Sequence, residues 1–71
     1  MKLNIDKVRK ELERLGWSEA EFGKRIGEAN NIKGGRQYAH WILHGETPGR
    51  SLQVIEKIAR TLLLDPKDLI I

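Results

Sequence analysis

Apolar residues at Ile5, Val8, Leu12 and Leu15 recur at intervals of three, four and three. That spacing draws one stripe along an α-helix and leaves Lys7, Arg9, Lys10, Glu11, Glu13 and Arg14 as a solvated back face. Gly16 follows, where a left-handed residue ends a helix with least strain. The next six residues, Trp17-Ser18-Glu19-Ala20-Glu21-Phe22, hold two helix-start signals. Ser18 and Glu21 have the spacing of a capping box, and Trp17 and Phe22 that of a hydrophobic staple. The helix they open runs through Phe22, Gly23 and Ile26 to Gly27. Glycine in a helix interior costs about 1 kcal/mol relative to alanine, so Gly23 implies that another backbone passes close by.

Beyond Gly27, the stretch Glu28 to Gly35 leaves two readings open: an extension of the second helix through Ala29, or a loop anchored by Ile32. The Asn-Asn and Gly-Gly pairs favour the loop. A third helix over Arg36 to His44 can be set in two registers, with either Tyr38 and Trp41 or Ala39 and Ile42 turned inward. The second is preferred, because it alone keeps Arg36, Gln37, His40 and His44, which share about a third of the helical circle at ~100° per residue, together on the outer side. Trp41 then lies at the edge of the packed face. After Gly45 to Gly49, Ser51 is the expected N-cap of a fourth helix whose core positions are Leu52, Ile55, Ile58, Ala59 and Leu62. Asp65-Pro66-Lys67-Asp68 starts a last short helix, with Asp65 as N-cap and proline at the favoured first position. Leu69, Ile70 and Ile71 either clamp the core shut or form part of a two-fold interface.

The pattern amounts to an all-α, compact bundle of about five short helices. The 71 residues form a single domain that buries only about 60% of its unfolded surface. There is no cysteine, so no disulfide or thiolate metal site supports the thin core. The longest aliphatic runs, Leu62 to Leu64 and the equally short Leu69 to Ile71, fall far short of the ~20 residues of a membrane helix, and Met1 to Asp6 hold no apolar stretch resembling a signal peptide. A soluble, cytoplasmic protein that touches no membrane is expected. The net charge of +3 is unevenly placed: acids and bases balance in residues 1–23 and again in 51–71. The whole excess comes from Lys24, Arg25, Lys33, Arg36 and Arg50 over Glu28 and Glu46. The basic field therefore coincides with the third helix.

Gly16-Trp17-Ser18, Phe22-Gly23, Ile26-Gly27 and a helix ending at Gly45 with Pro48 beyond it resemble the helix-turn-helix of Cro and phage-repressor type transcriptional regulators. The likeness spans roughly residues 5–70. It implies a lambda-repressor-like fold that presents its third helix to the major groove of double-stranded DNA, commonly as a dimer on half-sites about 34 Å apart. There Arg36 would contact guanine and Gln37 adenine, with His40 one turn on. Lys33, Arg50 and the helix start at Ser18 are candidates for phosphate contacts, as is His44, although a cation at a helix end is favoured in any case. A homodimer would use Leu69, Ile70 and Ile71. Three features depart from the family pattern: the extended turn between helices two and three, Glu19 where a phosphate-contacting glutamine is common, and Glu46 in a loop that is usually basic.

Catalytic chemistry finds little support. His40 and His44 have a spacing that can hold a metal, but Trp41 stands where the glutamate of a zinc-protease helix belongs, and the nearest further ligand in sequence is Glu46. Ser18 and Ser51 read as caps, and Gly34-Gly35 lacks the residues of a phosphate loop. Neither an enzyme nor a cofactor or metal is expected. The expected function is sequence-specific DNA binding in transcription regulation. The alternative is a protein-binding module on the same fold, of the antitoxin or antirepressor kind.

Overall fold

Helix α1 (Ile5–Leu15) starts at Asn4, whose side-chain oxygen accepts from the Lys7 amide at 3.2 Å. It ends at Gly16, with φ of 71°. In the computed structural model, which describes residues 2–45 and 52–71, the expected stripe is only partly sunk: Val8 and Leu12 are buried, while Ile5 and Leu15 pack at the margin. Two members of the expected solvated back face do other work. Glu11 retains only 10% of its side-chain exposure and lies between Arg14 at 2.8 Å and Lys7 at 3.4 Å. The Arg14 guanidinium, helped by Lys7, holds its carboxyl below the usual range although burial pulls the other way. Arg9 donates to the Leu43 carbonyl at 2.7 Å, where a cation at a helix C-terminus meets both an unpaired acceptor and the negative end of the dipole.

Helix α2 (Glu19–Asn30) opens as the sequence predicts, with Ser18 Oγ accepting from the Glu21 amide at 3.1 Å. The Glu21 carboxylate turns to Arg25 instead, at 2.8 Å, so the described bonds complete only half of the capping box. The helix does not stop near Gly27. It runs one turn further and closes on Asn31 in the left-handed region, φ 54°. The loop favoured for Glu28 to Gly35 is thereby replaced by the extension, and only Asn31 to Gly34 separate α2 from α3 (Gly35–His44). The Asn30 side chain accounts for the difference. Its amide group shares two protons among the Ile26 carbonyl at 3.0 Å, the Lys57 carbonyl at 3.3 Å and the Thr61 hydroxyl at 3.2 Å. That ties the added turn to α4 (Leu52–Leu62).

The α2–α3 contact is the most extensive between helices, and glycine makes it possible. A Cβ on Gly23 would come within 2.6 Å of the Arg36 Cα, and one on Gly35 would lie 3.0 Å from the Gly27 Cα. The backbone expected beside Gly23 is thus the first turn of α3. Above it α3 buries Ala39, Ile42 and Leu43, in agreement with the second register. Tyr38 is half-buried, with Lys57 over its ring, and Trp41 is exposed at the edge.

Helix α4 contributes Val54, Ile55, Ile58, Ala59 and Leu62 to the core. Leu52, expected inside, is exposed, so the stripe begins at Val54. The expected cap Ser51 lies outside the described residues. The last element is a 3-10 helix, Pro66–Leu69, with the Asp65 carboxylate accepting from the Lys67 amide at 3.0 Å. The fold is therefore compact and all-α, with four α-helices among the described residues instead of about five. The chain ends pair: Leu3 bridges Ile70, and the Ile71 amide donates to the Lys2 carbonyl at 2.8 Å. Leu69 is fully buried in the chain's own core, whereas Ile71 stays 72% exposed. No helix among the described residues is long and apolar enough to cross a membrane.

Candidate nucleic-acid interface

Packing Ala39, Ile42 and Leu43 inward leaves the opposite side of α3 to solvent. Arg36, Gln37, His40 and His44 are all exposed there. Arg36 and Gln37 belong to the first turn, immediately after exposed Lys33 in the four-residue turn. Exposed Ser18 stands at the start of α2. Glu19, Arg36, Gln37 and His40 line a shallow, open depression of about 330 Å³. Of the candidate contact residues, Arg50 lies outside the described residues, as does Glu46.

The residue that ties this surface together is Glu19. Its two carboxylate oxygens divide between the histidines, with Oε2 3.2 Å from His40 Nδ1 and Oε1 2.7 Å from His44 Nε2. Each contact is a hydrogen bond when the imidazole nitrogen carries its proton. The histidine rings themselves lie 4.6 Å apart between centroids. Hydrogen bonding by His40, then by His44, holds the Glu19 carboxyl below its ordinary range, so at neutral pH it is a carboxylate. No family model, curated protein or solved structure matches the chain.

The surface has two halves. The Arg36–Gln37 half offers a bidentate cation and an amide whose donor and acceptor can meet a guanine and an adenine edge respectively. In the His40–His44 half one nitrogen of each ring already faces the Glu19 carboxylate. The sequence marked Glu19 as an unusual residue at the start of α2, but its pairing with the histidines was not apparent. The contact spans 21 and 25 residues, and its existence depends on how α2 crosses α3. The one available signal was the positional conflict itself, an acid at a site adjoining the basic field.

Proposed function

We propose that this domain binds double-stranded DNA sequence-specifically as a transcriptional regulator. In this reading α2 and α3 act as a helix-turn-helix of the Cro and phage-repressor type, with α3 in the major groove. The observation that carries it is the solvent-facing strip of Arg36, Gln37, His40 and His44 on a helix whose other side is locked in the core. The four-residue connection lies in the range of DNA-binding helix-turn-helix units, whose turn is 3–4 residues and often contains glycine. The extra length relative to the family pattern then resides in α2, leaving the turn itself ordinary. Arg36 reads guanine and Gln37 adenine; Lys33, Arg50 and the α2 start at Ser18 meet phosphates and fix register. The Glu19 carboxylate opposes phosphate approach. A homodimer through the C-terminus would rely on Ile71 and the margin of Ile70, since Leu69 is committed to the core.

The test is base preference. Selection from a randomised duplex pool should return a short consensus, and Arg36→Ala should flatten one position of it, with a loss of about 1–3 kcal/mol in discrimination. Lys33→Ala should weaken all duplexes alike. Equal recovery of all sequences by the unaltered domain would sink the proposal. A second reading, a protein-binding module on the same fold, draws on two observations: Glu19 occupies the histidine half of the strip, and Leu63 and Ile71 are exposed aliphatics. In an NMR titration with mixed duplex, shifts confined to residues 17–50 favour DNA. An absence of DNA shifts, with partner-induced changes near Leu69 to Ile71, favours the protein partner.

A further inference from the structure

The two histidines share one face of α3, and α2 supplies the third group of the cluster. We propose that Glu19, His40 and His44 form a surface site for a borderline divalent transition metal, with zinc as its representative.

The ligand chemistry is appropriate. Two imidazoles and one carboxylate are a recurrent donor set for zinc, and imidazole nitrogen selects Zn²⁺, Cu²⁺, Ni²⁺ and Co²⁺ over Mg²⁺ and Ca²⁺, which favour oxygen-only shells. The geometry is close to what a metal needs. One ligand atom from each residue can be chosen so that all lie within 4.8 Å of one another. Around a tetrahedral zinc with bonds of about 2.0–2.1 Å, ligand atoms stand roughly 3.3 Å apart. Glu19 Oε2 stands 3.2 Å from His40 Nδ1 and the other oxygen, Oε1, 2.7 Å from His44 Nε2, so a metal needs only small side-chain rotations to bring one oxygen and both nitrogens to that common spacing. His40 and His44 are 67% and 50% exposed in their side chains, so both can rotate without disturbing the core.

On binding, the metal takes the lone pairs of His40 Nδ1 and His44 Nε2, and any proton on those nitrogens moves to the other ring nitrogen of a neutral imidazole or is released to solvent from an imidazolium. Each ligating imidazole then carries its one proton on the opposite ring nitrogen. Three protein ligands leave a fourth position facing solvent, open to water or to an external oxygen donor. With neutral imidazoles the three side chains carry one negative charge, and a divalent ion turns the corner into a net positive one. The ion also staples the first turn of α2 to the last two turns of α3. This assignment does not depend on the nucleic-acid reading, because stability and chemical shifts report it without DNA.

The experiment is thermal unfolding of the intact chain in non-chelating buffer with ZnCl₂, with MgCl₂ as control and EDTA as reversal. A metal bound by the folded state alone raises stability in proportion to the logarithm of its concentration above Kd. A saturable rise in Tm with zinc is expected, absent with magnesium and abolished by EDTA, together with selective shifts of the His40 and His44 ring protons by NMR. His44→Ala should abolish the rise, and Glu19→Gln should weaken zinc affinity about tenfold or more. No zinc-dependent shift in either measurement, or a full effect in His44→Ala, would overturn the site. Undiminished affinity in Glu19→Gln would overturn the three-ligand assignment. Because all three side chains lie at the surface, the NMR readout remains usable in every variant.

Discussion

Gly23 has no room for a side chain. Alanine there should gain about 1 kcal/mol of helix propensity, yet its Cβ would stand 2.6 Å from a backbone carbon of Arg36, and backbone cannot swing aside as a side chain can. Gly23→Ala is therefore expected to destabilise the domain by about 2 kcal/mol or more, in the upper range of overpacking costs. A urea midpoint equal to or above that of the unaltered chain would contradict the close crossing. Leu63 is the opposite case. It sits in the left-handed region at φ 57° and is 90% exposed, so its side chain stabilises nothing visible while its backbone is strained. Leu63→Gly should raise stability by about 0.5–1 kcal/mol, consistent with glycine's preference for this position after a helix; a lower denaturation midpoint would contradict that.

At the scale of elements, what could be read in advance was what depends on near neighbours. The first helix, Gly16 as its end, Ser18 as a cap and Asp65 before Pro66 all rest on residues within four positions of one another. The register of α3 followed from periodicity alone. What escaped were pairings over long separations: Arg9 with the α3 C-terminus, Glu19 with the two histidines, and Asn30 with α4. Asn30 shows the physical reason. In isolation the Asn30-Asn31 pair favours a turn, because both residues tolerate the left-handed region and compete with helical bonding. In the fold only Asn31 takes that conformation, and Asn30 is held helical by acceptors on α4. Asn30→Ala should cost about 1–2 kcal/mol, as expected for lost side-chain hydrogen bonds at a partly buried site. It should also speed exchange of the Asn31 amide, which caps α2 on the Gly27 carbonyl. A change within about 0.5 kcal/mol, as for an ordinary surface position, would mean that the last turn of α2 does not depend on this tether.

For the whole molecule, the fold divides labour between its faces. The chain ends are zipped by Leu3 and Ile70, α4 and Leu69 fill the core, and α2 and α3 carry the polar surface. The all-α class was evident from periodicity. Whether the polar strip was free could not be read, since Glu19 occupies its histidine half only once α2 has crossed α3. The net charge of +3 is small, so the DNA binding proposed above would rest on where the cations stand. The most direct measurement is the salt dependence of affinity for duplex DNA. Each phosphate neutralised contributes about 0.9 to the slope of log K against log salt, so Lys33 and Arg50 together imply a slope of about −2 or steeper. Sequence-specific binding through α3 predicts that slope, made shallower by about 1 in Lys33→Ala. No measurable duplex binding at low salt, or an affinity indifferent to salt, would contradict it.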